Sequence, residues 1–211
     1  MTELVFILDR SGSMNGLEQD TIGGFNSMLK KQRLDSSEAY VTTVLFDNRV
    51  DFLHDRLPLQ QVPLMTEDDY FVRGSTALLD AVGRTIKHIA NIHKYAHPDH
   101  KPEKTLFVII TDGMENASRT YTYDKVKAMI SHEQEKYGWE FLFLGANIDA
   151  AAEGSRFGID ANHSVTYKSD CEGTALNYKV LSDAIGTVRS CGGLQPDWCA
   201  PIKKDVKKRG R

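Results

Sequence analysis

The segment LVFILDRSGSM, residues 4–14, decides the predicted fold of this chain. Its first five residues are all apolar and rich in β-branched and aromatic types, a pattern typical of a strand buried on both faces. The polar residues that follow, from Asp9 to Ser13, predict a turn at the end of this strand. Ile22, Phe25 and Leu29 then recur at spacings of three and four, which predicts a helix. The chain therefore begins with a strand, a polar turn and a helix.

The same alternation continues along the rest of the chain. Further apolar runs predict strands at residues 41–46, 50–53, 106–110, 141–144 and 165–167, and helical spacing predicts helices near residues 78–97, 123–138, 150–157 and 176–191. This order, β-α-β-β-α-β-α-β-α-β-α, is typical of an α/β protein. We expect a three-layer, Rossmann-like domain with a mostly parallel, six-stranded central sheet, one antiparallel edge strand and helices on both faces.

The length of the chain and the segments without hydrophobic periodicity predict its domain organisation. Residues 1–192 are predicted to form a single α/β domain, which their number allows. Residues 55–75 contain Pro58 and Pro63 and show no period, so we expect a long loop of the kind that often carries function. Residues 193–211 also lack a period, and we expect them to be a flexible basic tail.

Charge and composition exclude several functional classes. The chain has 211 residues, with 26 Lys and Arg against 29 Asp and Glu, and a formal net charge of −3. Its last nine residues hold six basic residues and one acid, which leaves a net charge of −8 on the rest. A nucleic-acid-binding domain carries its positive charge on the folded face, so an acidic body with a basic tail does not favour that class.

Other features of the chain bear on its location. No apolar run approaches the ~18 residues that a membrane span needs. The start, Met1 to Glu3, is acidic and leads into an apolar run too short for a signal peptide. The cysteines number three, Cys171, Cys191 and Cys199. An odd number without a disulfide framework is most simply explained by a reducing compartment, so we expect a cytoplasmic protein with no membrane partner.

Oxygen-bearing side chains follow two of the buried strands and begin one of the helices. Asp9, Ser11 and Ser13 follow the first strand, Asp112 follows the strand at 106–110, and Thr76 precedes the second long helix. In sheets of this kind, ligands bind at the carboxyl ends of the strands. Hydroxyl and carboxylate oxygens are the ligands that Mg²⁺ prefers, and this set leaves a coordination position for an oxygen from outside. The sequence therefore predicts a site for Mg²⁺ or Mn²⁺.

These motifs together resemble a known family. Asp-x-Ser-x-Ser after a buried strand, a threonine within Gly-Ser-Thr-Ala-Leu-Leu-Asp-Ala, and Thr-Asp-Gly after a later strand are similar to the metal-ion-dependent adhesion site of the von Willebrand factor type A (integrin I-like) domain. The resemblance covers residues 2–192 and is to intracellular bacterial members of the family. It implies an adaptor or assembly module rather than an enzyme.

The resemblance also implies a role for each residue of the set. Ser11, Ser13 and Thr76 would contact the metal through their hydroxyls, and Asp9 and Asp112 directly or through water. In the family, the open coordination position accepts a Glu or Asp from a protein partner. The hydroxyl-rich shell is consistent with this, because neutral ligands leave more positive charge on the metal to attract a carboxylate.

Residues beside the metal loops are predicted to contact the partner. They would ring the open coordination position, and the loop before Thr76 adds the aromatic and arginine side chains that favour protein contacts. The predicted contact residues are Arg10, Met14, Asn15, Arg73, Met114, Glu115 and Asn116.

Alternative functions remain open at this stage. Asp9 after a buried strand is also typical of Mg²⁺-dependent phosphatases with an aspartyl nucleophile, although their second aspartate is replaced here by Ser11. A scaffold with a vestigial metal site is another possibility. His93 and His97 share a helical spacing used by zinc sites but lack the accompanying acid. The basic tail could bind an acidic partner, and it lacks the aromatic residues that stack on nucleic-acid bases.

Overall fold

The computed structural model describes residues 1–210 and contains one six-stranded sheet, in the order β3-β2-β1-β4-β5-β6. Every neighbouring pair is parallel except β2 and β3, which are antiparallel, so β3 is the antiparallel edge strand that the sequence predicts. The strands are β1 Thr2–Asp9, β2 Ala39–Phe46, β3 Val50–Pro58, β4 Lys104–Thr111, β5 Glu140–Ala146 and β6 Ser164–Tyr167.

Within residues 1–210, six α-helices cover the two faces of this sheet. Alternate residues of β1 point to opposite faces, so Leu4 and Phe6 belong to one apolar cluster while Val5 and Ile7 belong to the other. Helices α1, α5 and α6 pack in the first cluster, and α2, α3 and α4 pack in the second. The helices are α1 Glu18–Gln32, α2 Leu78–Tyr95, α3 Tyr123–Tyr137, α4 Ala150–Phe157, α5 Cys171–Cys191 and α6 Ala200–Arg209. The predicted three-layer α/β architecture is therefore confirmed.

Residues 193–210, for which the sequence shows no period, contain a sixth helix in the described chain. Residues 200–209 form α6, which packs against β6 and α5. Cys199 and Ile202 are buried, and the indole Nε1 of Trp198 donates to the backbone oxygen of Asn162 at 2.8 Å. The sequence does not predict this helix, because it buries too few apolar side chains for a helical spacing to be visible.

Replacing Ile202 by alanine tests whether α6 belongs to the fold. Ile202 is 1% exposed within the apolar cluster that also contains residues of α1 and α5, so we expect the change to lower the free energy of unfolding by about 2–4 kcal/mol. The exposed Lys204→Ala variant on the same helix should stay within about 0.5 kcal/mol of the unchanged protein. Chemical denaturation measures both, and equal, negligible effects would show that α6 does not stabilise the domain.

The segment at residues 55–75 also differs from the predicted loop. Strand β3 extends to Pro58, and a short 3₁₀ turn at Leu59–Gln61 follows it. Met65 and Tyr70 are almost fully buried, and the Tyr70 hydroxyl donates to the backbone oxygen of Asp9. The segment is therefore packed against the first strand end rather than being solvated along its length.

Across residues 1–210, the helices are too short or too polar to cross a lipid bilayer.

Candidate metal centre

The predicted oxygen donors meet at the carboxyl ends of two neighbouring strands. Strands β1 and β4 pair in parallel, with Leu8 opposite Ile110, so Asp9 and Asp112 leave the same edge of the sheet side by side. Residues 12–14 then form a short 3₁₀ turn that directs Ser13 outward. Thr76 lies just before α2 and reaches the same place. The sheet topology thus brings all five predicted donor residues to one point.

Three hydroxyl groups form the centre of this cluster. The Ser11 Oγ lies 3.1 Å from the Ser13 Oγ and accepts a hydrogen bond from the Thr76 Oγ1 at 3.0 Å. Gly113 closes the other side, where an added Cβ would stand 2.9 Å from the Thr76 Oγ1 and 3.1 Å from the Ser13 Oγ. Glycine is therefore the residue that lets the loop after β4 approach so closely.

The two carboxylates are buried and lack an opposing charge within the cluster. Asp9 is 1% exposed and accepts from the Ser11 backbone N–H at 2.7 Å and the Thr111 hydroxyl at 2.5 Å. Burial raises the pKa of Asp9 to about 6, and hydrogen bonds from Thr111 and Ser11 offset only part of that effect. Burial also raises the pKa of Asp112. A cation beside both groups would supply the missing positive charge.

One oxygen of Asp112 is the clearest sign that a ligand belongs here. Its Oδ2 accepts a long hydrogen bond from the Ser169 Oγ at 3.4 Å, whereas its Oδ1 is buried without a hydrogen-bond partner among residues 1–210. A buried carboxylate oxygen is costly when it is left unpaired. Hard oxygen donors, an orphaned carboxylate oxygen and a glycine-lined cradle together fit a small divalent cation such as Mg²⁺ or Mn²⁺.

Asn116 holds Thr76 in place and Glu115 caps the start of α2, and the sequence predicted neither role. The Asn116 Oδ1 accepts from the Thr76 backbone N–H at 2.9 Å, which fixes that loop. The Glu115 carboxylate accepts from the backbone N–H groups of Leu79 at 2.8 Å and Ser118 at 2.7 Å, and so caps the start of α2. Asn116 is nevertheless exposed and Glu115 is partly exposed, so contact of these two side chains with a partner stays a prediction.

Arg10 does not fit the predicted partner surface, because it is 3% exposed. Its Nε donates to the Asp47 Oδ2 at 2.9 Å, its other end contacts Asp51, and Arg73 also donates to the Asp47 Oδ2, at 2.6 Å. Asp47 is fully buried in the turn between β2 and β3. This charge network connects the loop after β1, which begins at Arg10, to the turn between β2 and β3. The spacing of these residues in the sequence does not indicate the connection.

Only some of the predicted partner-contact residues are exposed on the surface around the site. Met14 is 2% exposed and packs inward, so it does not face a partner. Asn15 is exposed, Met114 is 58% exposed and Phe71 is 44% exposed. Phe71 is not among the predicted contact residues, and the Arg73 guanidinium lies 5.2 Å from the centre of its ring.

The histidines and cysteines form no second metal centre. The His93 Nε2 lies 3.3 Å from the Glu3 Oε2, whereas His97 is largely exposed beside Asp99. Within residues 1–210, no group of three or more His, Cys, Asp or Glu side chains is arranged to hold a metal ion. All three cysteines are free thiols.

No family model matches this chain, and no curated protein matches it. Solved structures do, including a mutant of the PilB minor pilin from Streptococcus sanguinis, with a TM-score of 0.61 and 10% identity over 91% of this chain and 63% of the pilin chain. The vWF domain of the type V pili tip protein Mfa5 from Porphyromonas gingivalis has a TM-score of 0.61 and 12% identity over 92% of this chain and 98% of that domain.

A third similar structure carries a metal. Proximal thread matrix protein 1 from the mussel byssus, with a zinc-occupied MIDAS motif, has a TM-score of 0.57 and 13% identity over 86% of this chain and 44% of that one. This chain thus spans 44% of the byssus chain and 63% of the pilin chain. At such low identities the similarity shows the fold alone, which is that of the von Willebrand factor type A domain.

Proposed function

We propose that this protein is a metal-dependent adaptor or assembly module that captures an acidic residue of a partner protein. The observation that carries this proposal is the convergence of three hydroxyls and two buried carboxylates at one strand edge, where the Asp112 Oδ1 has no hydrogen-bond partner among residues 1–210. The zinc-occupied MIDAS motif of the structurally similar byssus protein supports a divalent metal on this fold.

Ser11, Ser13, Thr76, Asp9 and Asp112 are the residues that would hold the ion. We propose Mg²⁺ or Mn²⁺, because all five offer hard oxygen donors and none offers nitrogen or sulfur. The bound ion would supply positive charge for a Glu or Asp carboxylate of the partner. The exposed Ser13 and Gly12 leave the outer side of the cluster open to that carboxylate.

The partner surface that we propose consists of Asn15, Phe71, Arg73 and Met114. Each belongs to one of the loops that form the site, and each is at least partly exposed. Phe71 and Met114 offer apolar area of the kind that protein interfaces bury, and the Arg73 guanidinium, which is paired with Asp47 and Asp51, lies beside the Phe71 ring. The partner's acidic residue should accordingly be flanked by apolar side chains.

We propose that the module has no catalytic activity, and the surroundings of Asp9 support this. An aspartyl nucleophile needs an accessible oxygen, but Asp9 is 1% exposed. Hydrogen bonds from Ser11 and Thr111 engage both of its carboxylate oxygens. The phosphatase alternative is therefore disfavoured, and a broad phosphatase assay with Mg²⁺ is expected to show no turnover.

A cytoplasmic location is part of the proposal, because three free thiols suit a reducing compartment. Fractionation of the native cells tests it: recovery of the protein with an extracellular or surface fraction would contradict the proposed location without affecting the proposed metal site.

The paired substitution Ser11→Ala with Ser13→Ala tests the function directly. Removing two hydroxyl donors is expected to abolish Mg²⁺ and Mn²⁺ binding in calorimetric titration and to abolish metal-dependent capture of a partner from native lysate. A matched control replaces two exposed serines that lie outside the site, Ser36→Ala with Ser155→Ala. This control variant should bind metal and partner as the unchanged protein does. Capture that persists in EDTA, or in the Ser11/Ser13 variant, would contradict a metal-dependent adaptor.

A further inference from the structure

Helices α1 and α5 lie side by side and run in the same direction. The Tyr178 ring fills the space where Gly24 has no Cβ, and seven residues farther along α1 the Lys31 Nζ donates to the Asp183 Oδ1. Because both contacts advance along the two helices together, the beginning of α1 also faces the beginning of α5. These first turns lie at the end of the sheet that carries the candidate metal centre, since α1 follows the loop after β1 and α5 follows the parallel strand β6.

Four buried polar side chains meet where these first turns face each other, and we call them the α1/α5 polar cluster. Thr174, Asn177 and Tyr178 share one face of α5, because they are three and four residues apart. Thr21 faces them from α1, and each of the four is at most 3% exposed. Burial raises the pKa of Tyr70, the nearby Tyr178 raises it further and the nearby Thr21 lowers it, so both side chains lie close to the Tyr70 hydroxyl. The four side chains thus form one group.

Five polar atoms of the α1/α5 polar cluster are buried without a hydrogen-bond partner among residues 1–210. They are the Thr21 Oγ1, the Thr174 Oγ1, the Asn177 Oδ1 and Nδ2, and the Tyr178 hydroxyl oxygen. A buried amide or hydroxyl is costly when it is left unpaired, and five together would cost a free energy comparable to the whole stability of a domain. The folded protein therefore requires a partner for these atoms.

The backbone of the helices does not supply that partner. A threonine hydroxyl in a helix can donate to the carbonyl four residues earlier, and the buried Thr85 does so, to the Ala81 oxygen at 2.7 Å. Thr187, on α5 itself, donates to the Asp183 oxygen at 3.1 Å. Within residues 1–210, Thr21 and Thr174 make no such bond. Their hydroxyls are therefore available to another group at the interface between α1 and α5.

The spacing and the chemistry of the cluster fit water. Its five atoms do not lie within hydrogen-bond distance of one another, and polar groups more than about 3.5 Å apart are commonly bridged by a water molecule. Hydroxyls and the Asn177 amide both donate and accept, as water does, and the four side chains are neutral, so they do not favour an ion. A buried water makes about three hydrogen bonds, so about two waters match the five atoms.

We propose that the α1/α5 polar cluster is an internal hydration site, which binds about two ordered water molecules that bridge α1 to α5. The waters supply the hydrogen bonds that Thr21, Thr174, Asn177 and Tyr178 lack. The site is separate from the proposed metal ligands, because it uses side chains of α1 and α5 rather than the loops after β1 and β4. It is accordingly hydrated whether or not a metal ion is bound.

Oxygen-17 magnetic relaxation dispersion on the full-length protein tests this proposal by counting the water molecules that are held inside it for longer than nanoseconds. EDTA keeps the protein metal-free, so water bound to an ion is not counted. We expect Asn177→Leu, and separately Thr21→Val with Thr174→Val, to hold about one or two fewer such waters than the unchanged protein. The Thr85→Val control removes a buried hydroxyl that bonds directly to the backbone, so it should keep the full count.

Thermal unfolding adds a second readout, the sign of the change in Tm. Replacing an unpaired buried amide by an apolar side chain of similar size leaves the stability unchanged or raises it, whereas removing a hydrogen-bonded amide lowers it. We therefore expect Asn177→Leu to lower the Tm by about 2–10 °C. The proposal is overturned if the cluster variants keep the water count of the unchanged protein, or if the Tm of Asn177→Leu stays the same or rises. Should circular dichroism show that Asn177→Leu does not fold, the water count of the threonine pair decides.

Discussion

Replacing Asp112 by alanine is expected to abolish the stabilisation that Mg²⁺ or Mn²⁺ confers on this protein. A ligand that binds only the folded state at 100 times its Kd stabilises it by about 2.7 kcal/mol, which is about 5–10 °C in Tm for a chain of this length. Asp112 supplies the orphaned buried oxygen at the candidate metal centre, so its removal takes away both a proposed donor and a negative charge. Thermal unfolding with and without millimolar metal measures the difference.

The metal-free protein should keep its fold in this variant. Asp112 follows β4 outside both apolar clusters, and the Asp112 Oδ1 has no hydrogen-bond partner among residues 1–210 to lose. Removing an unpaired buried carboxylate is therefore expected to leave the metal-free Tm unchanged or slightly higher.

The exposed Asp68→Ala variant serves as a control and should retain the full metal response. A metal response that survives in Asp112→Ala would exclude Asp112 as a ligand. The absence of any response in the unchanged protein would support the alternative of a scaffold with a vestigial site.

Replacing Asp47 by alanine is expected to lower the free energy of unfolding by about 3–5 kcal/mol, because it leaves Arg10 as a buried charge without its main partner. Asp47 is 0% exposed and accepts from the Arg10 Nε at 2.9 Å, the Arg73 Nε at 2.6 Å and the Arg49 backbone N–H at 2.7 Å. For 211 residues the expected fall in Tm is about 6–20 °C. Denaturant titration and thermal unfolding both measure the loss.

Two companion variants identify the cause. Asp51 also contacts Arg10 and Arg73, but its side chain is 51% exposed, so Asp51→Ala should cost no more than about 1 kcal/mol. Adding Arg10→Met to Asp47→Ala removes the unpaired buried charge and should recover part of the lost stability. If Asp47→Ala lowered the free energy of unfolding no more than Asp51→Ala does, the buried Arg10–Asp47 pair would not be what stabilises the loop after β1.

The candidate metal centre was predictable because its residues lie at positions that sequence can define. Asp9 directly follows one continuous apolar run, Asp112 comes one residue after another, and parallel strands bring their carboxyl ends to one edge. The surroundings of the site were not predictable in the same way. Arg10 is oriented by Asp47, 37 residues away, and Thr76 by Asn116, 40 residues away. No local pattern encodes such pairs.

The sequence alone determined the order of the six strands and the first five helices, the single antiparallel edge strand and the identity of the five oxygen donors. These features depend on periodicity and on motifs a few residues long, so neighbouring residues suffice to define them. Only the tertiary structure decided that Arg10 and Met14 turn inward, that Glu115 and Asn116 support the site, and that residues 200–209 form a helix against β6. Each of those outcomes depends on burial against residues distant in the chain, where the packing partner rather than the local sequence determines which side chain leaves the solvent.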